Sequence, residues 1–355
     1  MKKILIIGFT KIKYMPYLSL YKEIINGQDV SLLYWDRDET EDIEIYENLT
    51  KYPFRRCQQD QIFKPFKILN FFRFKHYVIN HLKKNSYDYI IVLSTLPGVL
   101  ISNCLLNEYR KRYVFDYRDV TLEKYPFFRT RVQKLLFNSK LNISSSVGFQ
   151  QFYKKSKFHI VHNYDNINGN DYQSKSSSDK IRIGFIGFIR QFRFNKKIIS
   201  IFSNDETFEL HYYGREQKVA KQLSQYVALN NINNVIFHGS YLPKEKPSIY
   251  SNIDIINNLY ENDYATKYAM GNKFYDGIKF KLPQICNKGS LMGNLVESYN
   301  IGITIDLNLP NVKQYLIDYY NNFDKLLFNL NIEKIEKAII SENQSSMEKL
   351  SEALK

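Results

Sequence analysis

The run Met270-Gly271-Asn272-Lys273-Phe274-Tyr275-Asp276-Gly277-Ile278-Lys279-Phe280-Lys281-Leu282-Pro283-Gln284-Ile285-Cys286-Asn287 decides how this chain reads. Gly271 and Asn272 mark a helix start. Pro283 stops that helix, and Gln284 to Cys286 follow as a short strand. Lys273 and Asp276 are three apart and share one helix face. A helix N-terminus offers free backbone N–H groups and partial positive charge, and with a lysine beside it the site suits a diphosphate. A carboxylate one turn further in can accept hydrogen bonds from the two hydroxyls of a ribose. The same residues also read as a surface helix carrying an i, i+3 ion pair, so the rest of the chain has to decide.

Working outward, strands and helices alternate in two series. Lys3 to Gly8 reads as a buried strand ending in glycine, followed by a helical stretch over 14–25 and a strand from Val30 to Trp35. Gly8 lets the backbone turn at the carboxyl end of the first strand, where ligands bind in such sheets. Asp88 to Leu93 is a strand, Ser94 to Gly98 a loop and 99–110 a helix. Tyr113 to Tyr117, Asn142 to Ser146 and His159 to Val161 are further strands. Residues 166–180 are Ser/Asn-rich and read as a linker. The pattern then restarts with a strand from Ile181 to Ile186 and a helix over 196–202. Strand Phe208 to Tyr212, helix 217–230 and strands Val235 to Phe237 and Ile253 to Ile256 come next. Helical stretches over 311–327 and 331–353 close the chain. The spacing predicts two doubly wound α/β domains, 1–165 and 181–330, with 331–355 as a C-terminal helix. The absence of G-x-G-x-x-G argues against a dinucleotide dehydrogenase.

Three segments, 113–119, 181–190 and 270–287, also resemble GT-B glycosyltransferases of the family that includes bacterial capsule and lipopolysaccharide enzymes. The resemblance implies an α/β GT-B fold, with two Rossmann-like domains facing each other across a cleft. It implies a nucleotide-diphosphate-sugar donor, a UDP-sugar favoured, on the second domain. The acceptor, a lipid-linked or oligosaccharide glycan, would belong to the first domain, and the last helix would pack back on it. Transfer would retain anomeric configuration and need neither metal nor cofactor. In that family the acid matched by Asp276 binds the ribose, and Asn272 and Lys273 lie by the diphosphate, Lys273 pointing into the cleft. Gly187 lets the donor phosphate approach and Arg190 contacts it as a planar fork; Arg193, Lys196 and Lys197 compete for that contact. Tyr213-Gly214 and His238-Gly239 would surround the base. Asp116-Tyr117-Arg118-Asp119 resembles a D-x-R-D turn, which makes Asp119 and Arg118 catalytic candidates, although Arg118 stands where other members have histidine. Gly8 and Asn163 belong to loops on the acceptor side.

The chain departs from that family at Tyr268, where many members carry a second acid; Glu261 and Asp263 lie nearby. Together with the replacement at Arg118, this departure motivates one rival, a partner subunit whose donor site has degraded; a second rival, a nucleotide-sugar epimerase on the same fold, would need acid/base groups deep in the cleft, for which the sequence supplies few candidates.

Composition narrows the class further. The chain has 355 residues, 44% hydrophobic and 24% charged, which is globular rather than disordered. Cys57, Cys104 and Cys286 are far apart and form no C-x-x-C, which fits a reducing compartment without a zinc site. The run Ile4 to Phe9 is too short for a signal peptide, and no apolar run reaches the length of a membrane span. The expected location is the cytoplasm or the inner membrane face.

Net charge is +14. Residues 1–165 hold 27 Lys+Arg against 16 Asp+Glu, so +11 falls in the first half and +3 in the second. Residues 51–84 set nine basic side chains and six phenylalanines against the single acid Asp60. That segment reads either as an amphipathic stretch for an anionic membrane or as core aromatics with solvated lysines. Charge alone would admit a nucleic-acid binder, but no nucleic-acid motif accompanies it. Asp36-Arg37-Asp38 has the form of a metal-holding D-x-D, yet it opens the acidic run Glu39, Glu41, Asp42, Glu44, Glu47 and reads better as a solvated loop.

Overall fold

In the computed structural model, residues 1–38, 46, 48–58, 64–164 and 179–355 are described. The chain divides into two compact units, residues 1–165 with 339–355, and residues 166–338. The first unit contains β1 (Lys3–Ile7), α1 (Lys22–Gly27), β2 (Asp29–Asp36), β3 (Leu49–Arg55), α2 (Lys64–Lys84) and β4 (Tyr89–Leu93). It continues with α3 (Thr95–Leu100), α4 (Ser102–Asn107), β5 (Tyr113–Tyr117), α5 (Pro126–Asn138), β6 (Leu141–Ser144) and β7 (His159–Ile160). Its strands run in the order β3-β2-β1-β4-β5-β6-β7, all parallel.

The second unit contains β8 (Ile181–Ile186), α6 (Phe192–Phe202), β9 (Phe208–Tyr213), α7 (Lys218–Leu229), β10 (Val235–Gly239) and α8 (Lys246–Ser251). After these come β11 (Ile255–Asn258), α9 (Asn272–Lys279), β12 (Gln284–Asn287), α10 (Leu291–Tyr299), β13 (Gly302–Ile305) and α11 (Val312–Asn321). Its sheet order is β10-β9-β8-β11-β12-β13, again all parallel. The last helix, α12 (Lys325–Leu354), begins in the second unit and ends in the first.

Parallel strands are covered on both faces, so they must be apolar throughout. Ile4 to Ile7 and Ile90 to Leu93 are accordingly fully buried. One core cluster joins Ile4, Ile6, Ile91 and Leu93 to Leu18, Tyr21, Val114 and Ile143, and Leu350 and Leu354 of α12 complete it. Asn343 secures α12 there, accepting from the His162 backbone N–H at 2.6 Å and donating to its carbonyl at 3.2 Å. The second core is a separate cluster around Ile183, Phe185, Leu210, Ile285 and Ile303. Each sheet reverses its winding once, between β1 and β4 and between β8 and β11. Ligands bind at such switch points in open α/β sheets, outside the carboxyl ends of the strands.

Several expectations are corrected. Residues 51–84 are not one amphipathic segment but the edge strand β3 followed by the helix α2. Phe54, Phe71 and Phe74 pack around Trp35, while Phe66 and Phe72 are exposed; Asp60 and Phe63 lie outside the described residues. Asp36 is buried rather than solvated, because the buried ammonium of Lys11 lies 3.4 Å from Asp36 and 2.9 Å from Asp38. The acidic run from Glu39 to Glu47 and linker residues 166–178 lie outside the described residues. Thr95 to Gly98 is the first turn of α3, not a loop. The closing helix starts at Lys325. No described helix is long and apolar enough to cross a membrane.

Candidate functional site

The second sheet's switch point lies between the turn after β8 and the loop after β11. Gly187 leaves β8 with a φ of +131°, in the region that favours glycine. Gly214 at the end of β9 packs so closely that a Cβ there would lie 2.1 Å from the Gly187 carbonyl oxygen. The Gly187 N–H donates to the Tyr213 carbonyl, and the Gly214 N–H to the Gly239 carbonyl, both at 2.8 Å. Three neighbouring strands therefore end in bare backbone at one edge. Beyond it Arg190 is exposed, and its guanidinium makes no hydrogen bond or ion pair among the described residues. Buried Asn195 fixes this turn by donating to the Arg190 carbonyl at 2.6 Å. Gln191 joins the two loops, accepting from the Glu261 N–H at 3.2 Å.

α9 starts at this switch point. Apolar residues 274, 275 and 278 turn one face inward, and Lys273 turns in with them. The side chain is only 5% exposed, so the expectation that Lys273 points out into a cleft is corrected: it lies beneath the site. Its Nζ has no hydrogen-bond partner among the described residues and sits 3.4 Å from the Phe185 ring centroid and 4.7 Å from that of Tyr260. Burial pushes its pKa well below the ordinary lysine value; the neighbouring thiol of Cys286 acts the other way, and Arg190 lowers it further. Asn272 is exposed at the helix start.

Asp276, one turn on, pairs with Lys246 rather than with Lys273. Lys246 Nζ donates to its Oδ1 at 3.0 Å and its Oδ2 at 2.8 Å, and the Tyr250 hydroxyl donates to Oδ2 at 2.7 Å. Oδ2 thus accepts two bonds already, while Oδ1 keeps a free lone pair. Lys246 and Tyr250 come from α8, and nothing in the sequence ties them to Asp276. Further along the edge, Tyr213 and His238 stack with ring centroids 4.0 Å apart and planes 3° from parallel. Tyr213 packs in one apolar cluster with Ile186, Tyr250 and Tyr241. Tyr241 also lies close enough to Asp276 for that charge to add to burial in raising its phenol to about 12.

In the first unit, the predicted residues gather at the carboxyl end of β5. Arg118 Nε donates to the Asp116 carboxylate at 2.7 Å, and Nη1 donates to the Val161 carbonyl at 3.0 Å and to Asn163 Oδ1 at 2.9 Å. Tyr21 donates to Asp116 at 2.5 Å, and the Tyr17 ring covers the guanidinium. Arg118 is 4% exposed, with its donors turned inward, whereas Asp119 is exposed. Gly8, at the end of β1, donates its N–H to the Leu33 carbonyl at 2.9 Å. Tyr268 and Asp263 lie in the loop before α9, where Asp263 accepts from the Ala265 and Thr266 backbone N–H groups at 2.8 Å.

No protein-family model matches the sequence, and no curated protein matches it. Solved structures do match over nearly the whole chain. Sucrose-phosphate synthase from Thermosynechococcus elongatus superposes with a TM-score of 0.75 at 12% identity, covering 100% of this chain and 99% of that one. HepE from Anabaena, solved in complex with UDP and glucose, gives 0.71 at 15% identity, covering 99% and 100%. The lipopolysaccharide outer core galactosyltransferase WaaB gives 0.65 at 12% identity, covering 97% and 98%.

Proposed function

From the GT-B fold that the chain shares with these structures, we propose that it is a glycosyltransferase. It takes a sugar from a nucleotide-diphosphate donor, a UDP-sugar, and passes it to a glycan acceptor, lipid-linked and destined for a surface polysaccharide. The observation that carries this reading is the set gathered at the second unit's switch point. An unengaged Arg190, a buried unpartnered Lys273 and the carboxylate of Asp276 meet beside a bare glycine edge. The solved HepE complex with UDP and glucose, in the same fold, supports the donor class.

In this reading the chain stabilises a leaving nucleoside diphosphate. Arg190 grips phosphate oxygens as a fork, the N–H groups opening α9 add their dipoles, and Lys273 adds charge from below. These groups are in place before the reaction, so they act on charge as it develops, at little reorganisation cost. Transfer would need no metal and would retain configuration. Asp276 holds the ribose through Oδ1, with Lys246 fixing the carboxylate from the other side. In the first unit Asp119 takes acceptor hydroxyls. Arg118 acts as a positioning residue that ties the β5 turn to Val161 and Asn163, and Gly8 and Asn163 shape the same edge.

A donor-binding subunit without turnover is the reading that the occupied Asp276 favours. Asp276→Asn tests both. The transferase reading expects activity to fall by about tenfold or more through a lost charged hydrogen bond, with little change in melting because the Lys246 pair is partly exposed. Binding of a UDP-sugar with no turnover in the unmutated protein would support the subunit instead.

The lipid-linked acceptor brings an anionic membrane into the proposal. Phe66, Leu69 and Phe72 follow each other at helical spacing on α2, are exposed together with Ile68, and lie among Lys67, Arg73 and Lys75. Exposed apolar groups among basic ones suit the headgroup region, where each cation contributes about 1 kcal/mol. The protein would then be cytoplasmic and peripheral.

A further inference from the structure

His238 has a place in the structure that its stacking on Tyr213 does not account for. Glu209, His211 and Tyr213 alternate along β9 and so project from one face of the sheet. His211 Nε2 lies 2.9 Å from Glu209 Oε2, and His211 Nδ1 lies 2.9 Å from His238 Nε2. A carboxylate only accepts, so His211 carries its proton on Nε2. Burial holds the pKa of His211 below the ordinary histidine value, against the pull of Glu209. A neutral His211 then offers a lone pair at Nδ1, and His238 must carry its proton on Nε2 to fill it. Burial and the neighbouring His211 also keep His238 below the ordinary value, so its other nitrogen, Nδ1, is an acceptor. That ring is exposed, and Nδ1 has no partner among the described residues. The Arg182–Asp254 pair, at 2.8 Å, is the other charged group acting on His211.

The strand spacing places this acceptor. β10 lies two strands from β8, roughly 10 Å at about 4.8 Å per strand. A nucleoside diphosphate whose diphosphate lies at the Gly187 turn and whose ribose lies by Asp276 spans that distance to its base. Tyr241 and Tyr213 line the way between Asp276 and His238.

We infer that His238 reads the donor's base, with Glu209 and His211 setting its tautomer, so that a base carrying a ring N–H on its pairing edge is selected. Uracil has such a donor at its ring N3, and cytosine has an acceptor there. This inference rests on the nucleoside-diphosphate reading of the site. His238 makes the contact; Glu209 and His211 are positioning residues.

Calorimetry on the full chain with UDP, CDP and UDP methylated at the ring N3 tests it. The expected result is that UDP binds about tenfold or more tightly than either other ligand, because each leaves a polar group unpaired. His238→Phe keeps the stacked ring and should bring UDP down to the level of CDP while leaving CDP unchanged. Glu209→Met should weaken the same preference without touching the contact residue, and Glu209→Gln, whose carbonyl still accepts from His211, should keep it. Equal affinity for all three ligands in the unmutated protein overturns the inference and leaves the diphosphate site standing. Failure of every nucleoside diphosphate to bind overturns the site itself.

Discussion

Replacing Lys273 with methionine should make the protein more stable and a poorer binder of nucleoside diphosphates. The side chain is buried and its Nζ has no hydrogen-bond partner among the described residues. An unmet buried polar group costs about 1–3 kcal/mol. Methionine fills a similar volume without the polar atom, so the net gain is about 1 kcal/mol, or roughly 2–4 °C in melting temperature for a unit of this size. The pH dependence has a definite sign. Burial lowers the folded-state pKa, so between that value and the ordinary lysine value of 10.5 the unfolded chain binds the extra proton. Stability of the unmutated protein therefore rises with pH across this window. The advantage of the methionine variant should be largest at neutral pH and fade toward about pH 10. Binding should move the other way. Each negative charge of a diphosphate about 6 Å from a unit cation gains roughly 3 kcal/mol at an effective dielectric constant near 20. Part of that is spent protonating the amine, so UDP binding should take up a proton. Its heat should vary with the buffer's ionisation enthalpy in the unmutated protein and not in the variant. A lower melting temperature together with unchanged UDP affinity would refute this reasoning.

Arg190→Ala should weaken UDP binding in calorimetry by about 1.5–3 kcal/mol and leave the melting curve in place, because the exposed guanidinium makes no hydrogen bond or ion pair among the described residues. Arg118→Met should leave Asp116 buried without its cation and cost about 3–5 kcal/mol of first-unit stability in denaturant titration. Near-normal stability would show that the pair with Asp116 is dispensable. Phe66→Ser with Phe72→Ser should reduce co-sedimentation with anionic vesicles while UDP binding stays unchanged. Equal recovery with anionic and neutral vesicles in the unmutated protein would remove the membrane from the account.

The sequence made α9 and β12 legible because Gly271 and Pro283 punctuate them. The two parallel sheets were legible because buried parallel strands are unbroken apolar runs. β3 was not: it is an edge strand, half exposed, with Pro53 inside it and lysine and arginine on it. α5 was missed because Tyr125, Phe127 and Phe137 are exposed and blur its apolar stripe. At the candidate site, Arg190 could be found from its distance to Gly187 in the chain. Lys246 could not, since it lies 30 residues from Asp276 and only the packing of α8 brings them together. The inward turn of Lys273 follows from which face of α9 meets the sheet, and a lysine at a helix start gives no sign of that. Glu209, His211 and Tyr213 did leave a signal, the alternation along one strand, but His238 joins them only through the pairing of β10 with β9.

The most direct test of the central claim is turnover of single nucleotide sugars, following both nucleotide and sugar. The account predicts that a UDP-sugar releases UDP, with the sugar passed to a lipid-linked or oligosaccharide acceptor or slowly to water, and that Arg190→Ala slows this release. Conversion of the sugar to its epimer with the nucleotide still attached, or no binding and no release with any nucleotide sugar, would contradict it.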